Sequence, residues 1–329
     1  MKLFNKTLSL LSYLLIFLIL SSYLLIPLST SAALQQGEGL TISPPILELT
    51  LKPGESSQQT IKITNPTQKL MEIYPLVMNF KASGEGGEPA FYPATSGEEK
   101  FSLASWIKFN QTKLALTPEQ VVEFKYQIQA PADAEPGGHY GVVFFATEPP
   151  KPEQDISQVA IASMIGSLVL ARVPGAINEN ASLVDFSTHK FYLKTPVEFT
   201  IRIKNLGNVH FKPKGEITIQ NSFGKNSDSV TVNEAKGNVL PDSTRKFTEN
   251  WQASGWTFGR FSAALSLTYG ETSQNLSGNL SFWIIPIWFI VLIGLILLII
   301  IVLIIRRKKK RAKTPKNIPP IERKKVILR

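Results

Sequence analysis

The sequence predicts an all-β protein, two β-sandwiches in tandem, with a secretory signal before them and one membrane-crossing helix after. Three observations lead there. Apolar residues recur at every second position through the middle of the chain. Turn-forming dipeptides separate the runs, and part of the pattern occurs twice. Alternation with period two puts one face of each strand on a core and the other in water.

The chain opens with Lys2 and Lys6, an apolar run at 8–28 and the small residues STSAA at 29–33. That order is the pattern of a signal peptide over 1–33, with Ser31 and Ala33 placed for cleavage before Leu34. The run is long for a signal core, so an uncleaved N-terminal anchor is the alternative. Either form exports the two sandwiches.

A first sandwich is expected over 40–173. Leu47, Leu49 and Leu51 alternate with Glu48 and Thr50, and Val122, Phe124, Tyr126 and Ile128 alternate with Glu123, Lys125 and Gln127. Pro53-Gly54, Asn65-Pro66 and Pro136-Gly137-Gly138 mark turns between strands. The stretch 159–171 is apolar on both faces and too short to cross a membrane. It predicts a strand buried on both sides, with a buried helix as the alternative. Residues 81–100, rich in Gly and Glu, read as a long mobile loop inserted in this sandwich.

Val173-Pro174-Gly175 punctuates the chain, and a second sandwich is expected over 177–282. There Val197, Phe199, Ile201 and Ile203 alternate with polar residues, and Phe261, Ala263, Leu265, Leu267 and Tyr269 alternate with small or hydroxyl residues. The run IKITNPTQ at 61–68 is echoed by IRIKNLGN at 201–208, and LTPEQVVEF at 116–124 by LPDSTRKF at 240–247. That echo implies two related units.

Residues 283–305 contain no charge and reach about 34 Å as a helix, enough for a hydrocarbon core of about 30 Å. Trp283 and Trp288 stand at the entry, where amphipathic rings favour the headgroup level, and Arg306 to Arg311 come next as an unbroken run of cations. The span is therefore expected at 283–305, with a basic cytoplasmic tail at 306–329 and the sandwiches outside the cell. Residues 306–329 hold twelve of the 35 Lys and Arg against a single Glu, so the net charge of +10 belongs to the tail. The body lacks the balance of a nucleic-acid binder, and lipid attraction already accounts for the tail. A regulatory or nucleic-acid arm is the alternative for that segment.

The chain has no cysteine, which excludes disulfides, thiolate metal sites and a cysteine nucleophile. Its three histidines, His139, His189 and His210, have no metal-ligand spacing. No serine-hydrolase motif occurs. Glu85, Glu88, Glu98 and Glu99 fall in the Gly-rich stretch, which could not hold a glycosidase pair in register, so they read as solvated loop charges. No cofactor, metal or catalytic set is expected, and the chain reads as a non-enzyme.

Candidate contact residues are Phe91 and Tyr92 in that loop, His139 and Tyr140 after the Pro-Gly-Gly turn, and Trp256 in a Ser-Gly-Trp-Thr setting. Exposed rings stack on sugar faces or anchor a protein partner. Each has a structural alternative. Phe91 and Tyr92 would fold back on the sandwich, Tyr140 would enter the core, and Trp256 would pack in the core or at an edge, as Trp106 and Trp251 are expected to do.

With SPPILELTLKPGESSQQTIKITNPT and WIKFNQTKLALTPEQVVEFKYQIQAPADAEPGGHYGVVFF, the first unit resembles the N-terminal module of WxL-interacting proteins. With IRIKNLGNVHFKPKGEITI and VLPDSTRKF, the second is similar to their second module. The resemblance implies two immunoglobulin-like domains, the first associated with peptidoglycan and the second with protein partners. The order of signal, two domains, membrane helix and basic tail also fits. The first unit resembles the N-terminal domain of pilus chaperones as well, through the Asn-Pro turn and the run from Trp106 to Pro118.

The expectation is a single-pass surface protein that tethers a cell-wall polymer, a secreted protein or both near the membrane. The alternative is a membrane-tethered, chaperone-like assembly factor for exported subunits. That alternative requires a long, unprotected edge strand in the first unit and a basic anchor in the cleft between the units.

Overall fold

The structure is a computed structural model that describes residues 39–94, 100–149, 164–222, 227–253 and 257–311. The expected signal segment, Trp256 and the tail beyond Arg311 lie outside the described residues.

Strands make up four sheets. One joins β1 (Thr41–Ser43), β3 (Ser56–Thr64), β8 (Val121–Gln129) and β6 (Ile107–Lys108) in that order. A six-stranded sheet runs β2 (Ile46–Thr50), β10 (Met164–Val173), β9 (Gly137–Ala146), β4 (Met71–Ser83) and β5 (Glu88–Tyr92), with β7 (Leu114–Leu116) paired to β4. Further along the chain, β11 (Ala181–Ser187), β13 (Val197–Asn205) and β16 (Thr244–Trp251) form a three-stranded sheet. The last sheet orders β12 (Phe191–Tyr192), β18 (Gln274–Ile284), β17 (Gly259–Tyr269), β14 (Lys214–Asn221) and β15 (Ser227–Val232). Among the described residues the structure is otherwise β, apart from a 3-10 turn at Ala104–Trp106 and one long helix, α1 (Ile287–Arg311).

Two separate cores match the two pairs of sheets. Ile61, Ile63, Phe124, Tyr126 and Ile128 from one sheet meet Val143, Phe145, Val169 and Ala171 from its partner. Farther on, Phe199, Ile201 and Ile203 meet Ile217, Phe261, Leu265 and Phe282. The inward residues in β8, β13 and β17 are those that the alternation picks out, because a strand with one wet face must bury every second side chain.

The sequence echo has a physical counterpart. Asn65 is fully buried where β3 ends, and its amide donates to the carbonyls of Lys69 at 2.8 Å and of Leu116 at 3.1 Å. Asn205, equally buried where β13 ends, donates to Val209 at 2.8 Å and to Val239 at 2.9 Å. Each asparagine plugs its own turn and fastens it to the second echoed segment of the same sandwich. Buried carbonyls need such partners.

Three expectations change. Residues 81–92 are no mobile loop: β4 and β5 form a hairpin in which Phe80 pairs Phe91 and Ala82 pairs Pro89, with a tight turn at Gly84–Gly87. Burial on both faces, expected of 159–171, is complete in β9 instead, while β10 is partly open at its start; residues 159–163 lie outside the described set. Trp283 and Ile284 belong to β18 and not to the helix, because the alternation of buried Phe282, exposed Trp283 and buried Ile284 carries the sheet to that point. The span begins at Ile287; it is long and apolar enough to cross a membrane and is exposed along its length.

Candidate functional site

The complete burial of β9 comes from a second apolar layer on the outer face of the six-stranded sheet. Met78, Phe80, Tyr140, Val142, Phe144 and Leu170 form it, joined by Phe91, Leu168 and, from the second sandwich, Leu240. The second sandwich closes over part of this layer, and the remainder is the floor of a cleft. Ile46, Phe80, Leu168 and Leu170 lie beneath, while Lys212, Lys236, Asn238, Leu240 and Arg245 form the opposite wall of a cavity of about 530 Å³. A second hollow of about 570 Å³ adjoins it and shares Glu48, Lys212, Lys236 and Asn238. Both volumes are in the range of ligand pockets.

The junction of the sandwiches is held at several points. The Asn208 amide donates to Pro136 and Ala176 carbonyls at 3.1 Å each, and the Asn208 carbonyl accepts the Gly138 N–H at 2.8 Å. The Tyr140 hydroxyl accepts the His210 N–H at 3.1 Å and meets His210 Nδ1 at 3.2 Å. A Cβ at Gly138 would stand 2.0 Å from that hydroxyl, so the Pro-Gly-Gly turn is what lets Tyr140 reach across. Burial holds the Tyr140 phenol well above its ordinary range and the His210 ring down at about 4, with Glu48 opposing and Arg172 and Lys212 reinforcing the latter shift. The ring is thus neutral at neutral pH, and its Nδ1 shares a hydrogen bond with the phenol.

Glu48 sits between the hollows. It accepts Lys212 Nζ at 2.6 Å and Asn238 Nδ2 at 2.7 Å. Burial pulls its carboxyl upward, but those two hydrogen bonds and the Lys212 charge leave it below the usual range. Behind it, Arg172 contacts Glu179 at 3.2 Å and Glu271 at 3.1 Å. Glu179 also accepts the N–H groups of Glu271 and Thr272 at 3.0 and 3.1 Å. Its carboxyl is partly buried, which opposes ionisation, yet these donors bring it down to about 2.

At the far end, the β4–β5 hairpin tip clasps the second sandwich. Glu85 takes both Nε and the terminal nitrogen of Arg202, and its carbonyl accepts the Lys246 N–H at 2.7 Å. Glu85 is therefore a cross-sandwich partner and no solvated loop charge. Arg245 lies in a slot between two glycines, since a Cβ at Gly87 or Gly237 would come within 2.4 or 2.6 Å of its guanidinium. One guanidinium nitrogen donates to the Asn238 carbonyl at 2.7 Å. Its Nε and the nearby Asn238 Oδ1 are buried without a hydrogen-bond partner among the described residues. Burial depresses the Arg245 pKa, with Glu88 opposing. Arg245 Nε and Asn238 Oδ1 both lie beneath the surface of the wall, so each is a buried polar group without compensation among the described residues.

None of the described candidate residues from the sequence lines the cleft. Phe91 lies on β5 with its ring 4.7 Å from Phe144, and Tyr92 ends the same strand under Lys81, 5.5 Å from its ring centre. His139 is buried, with its ring nitrogens on the carbonyls of Ser102 and Glu135 at 3.1 and 2.9 Å, and it stacks on buried Trp106. Tyr140 is a junction residue, not a contact surface. Trp256 lies outside the described residues, and Trp251 is buried in the second core. Sequence reading passes over Arg245, Glu48, Lys212 and Asn238. Their alternation signals only exposure, and Glu48 meets partners 164 and 190 positions away. Among the described residues, no three His, Asp or Glu side chains gather as metal ligands.

No family model and no curated protein matches the chain. Among solved structures it is similar to a chaperone–tip adhesin complex of CFA/I fimbriae biogenesis, with a TM-score of 0.37 and 16% identity over 73% of this chain and 98% of that one. The class 5 fimbriae chaperone CfaA gives 0.36 and 14% over 76% and 100%. The CsuC–CsuE chaperone–tip pre-assembly complex of Acinetobacter baumannii gives 0.34 and 10% over 72% and 97%. Likeness at this level says nothing of ligand or activity.

Proposed function

We propose that the chain is a membrane-anchored, non-enzymatic binding protein that holds a secreted protein partner beside the bilayer. In this reading α1 is the anchor, and residues 40–173 and 177–282 are two immunoglobulin-like domains outside the cell. The cations from Arg306 onward keep their end in the cytoplasm. Anchoring raises the effective concentration of a weakly held partner without adding contacts.

One observation carries the reading. The cleft pairs an apolar floor of Ile46, Phe80, Leu168 and Leu170 with the basic side chains Lys212, Lys236 and Arg245 of its wall. A polypeptide segment with an apolar side chain beside an acidic or amide group meets both demands. A wall polymer offers the weaker apolar match, the C–H faces of its sugars. The resemblance of the sequence to WxL-interacting proteins supports the same general role.

A second reading, the chaperone-like assembly factor, is favoured by the edge of β10. Pairing with β2 begins only at Leu168, which leaves Met164–Gly166 open on that side among the described residues. An added strand needs such an edge, and the cations that this reading requires in the cleft are Lys212, Lys236 and Arg245.

The test places a photo-crosslinking amino acid at Leu168, at Met164, or at Ala264 as a control on the outer face of β17, in the full-length protein in cells. A secreted protein captured from Leu168 alone, and lost with Arg245→Ala, is the expected result. Capture from Met164 of a subunit that is later released moves the assignment to the assembly factor. Wall fragments alone, or no adduct from a folded protein, overturn the proposal.

A further inference from the structure

We propose that the α1-proximal end of the second sandwich is itself seated in the headgroup layer of the bilayer, with a basic rim that favours anionic lipids. The inference rests on reading α1 as a membrane span.

Tether length comes first. Only Ile285 and Pro286 separate the last residue of β18 from Ile287. Two extended residues reach about 7 Å, while the headgroup region on each side of a bilayer is roughly 5–8 Å deep. The end of the sheet cannot stand clear of it.

Surface chemistry points the same way. Of six large apolar residues exposed on the second sandwich among the described residues, four gather at this end: Phe191 (66% exposed), Leu193 (52%), Phe258 (44%) and Trp283 (43%). Single exposed hydrophobes scatter at random over a soluble surface; a cluster at one pole marks a contact.

Strand register assembles them. Phe191 and Arg260 both pair with Trp283, so the three form one outward row across β12, β18 and β17. One step past the paired residues, Leu193 and Phe258 flank Ile285, whose N–H bonds to the Tyr192 carbonyl at 2.8 Å. The Phe258 ring already packs 4.4 Å from Phe289 and 6.2 Å from Trp288 in the first turn of α1. Aromatic rings with one apolar and one wet side settle at this depth.

Charge completes the fit. Segments 188–196, 257–264 and 281–286 contain Lys190, Lys194 and Arg260 and no carboxylate. All three cations are exposed, and Arg260 contacts only the Ser281 hydroxyl among the described side chains. Basic residues at a bilayer surface are drawn to anionic headgroups.

The chain has no cysteine, so single labels are clean. Full-length Phe191→Cys, Phe258→Cys and Lys190→Cys proteins, the last leaving the apolar patch whole, would carry a bimane probe in phosphatidylglycerol-containing vesicles. Lys62→Cys in the first sandwich and Leu298→Cys in α1 serve as references. The expected result is loss of emission at 190, 191 and 258 to headgroup spin-labelled lipid, with protection from iodide. The 62 probe should behave in the opposite way, and the 298 probe should respond to a deep acyl spin label. Probes at 190, 191 and 258 that behave like the one at 62, while 298 is quenched, overturn the inference and leave the anchor standing. No deep quenching at 298 removes the span and the inference with it. Equal quenching in pure phosphatidylcholine removes the anionic preference.

Discussion

The two sandwiches solve the same folding problem and differ on their outer faces. In β17 of the second, buried and exposed residues alternate along the strand. In β9 of the first, all ten residues are buried, because its sheet has an apolar layer on both sides. The second sandwich therefore has one core, whereas the first has a core and a platform, and the cleft opens where the platform meets its neighbour. The first sandwich is apolar on an outer face whose counterpart on β17 of the second stays exposed.

The largest expected effect tests that difference directly. Phe144→Ala on the platform should cost about 3–4 kcal/mol of unfolding free energy in denaturant titrations of the soluble portion, as do buried Phe truncations generally. Ala264→Ser at an outward position of β17 should stay within about 0.5 kcal/mol. Equal costs would erase the distinction between the two faces.

The next prediction concerns what the copies share. Asn65→Ala and Asn205→Ala each orphan buried carbonyls, and each should cost about 3 kcal/mol. Calorimetry on the two variants sharpens the comparison. If one is tolerated and the other unfolds its sandwich, the plugs are not equivalent and the echo is superficial.

The smallest effect is one of pH, at the junction. His210 titrates at about 4 in the fold against 6.5 in the open chain, so the unfolded state takes up the proton first. Its contribution is present above pH 6.5 and is lost as pH falls toward 4, no more than about 3 kcal/mol over that window. Glu179, at about 2 against 4.5, extends the loss through the next window downward. The groups facing His210 are Glu48, Arg172 and Lys212. Melting temperatures measured from pH 7 to 3 should fall in two stages, and His210→Asn should flatten the upper one alone. An unchanged upper stage would take His210 out of the junction.

How much of this is legible in the sequence depends on the range of each interaction. Period-two alternation is local, so β8, β13 and β17 can be placed with their inward residues named. The echoed asparagines are visible because their turns sit beside them in the chain. The β4–β5 hairpin reads as a loop, since Gly84–Gly87 has loop composition and only the pairing of Phe80 with Phe91 declares a strand. Sequence alone starts α1 four residues early, because Trp283 and Ile284 are as apolar as the helix they precede. The cleft cannot be seen at all. Arg245 acquires its slot from glycines on two different strand connections, and Glu48 finds its partners in the other sandwich.

The short passage from β18 to α1 also bears on mechanics. β18 pairs with β17 along eleven residues, and its chain enters the helix without slack. If, as proposed, α1 crosses the bilayer and the cleft holds a partner, no elastic leash absorbs a pull on that partner. Tension would then reach the lipid through a zipper of backbone bonds strained together in shear, and the tether should fail abruptly and not by gradual paying-out.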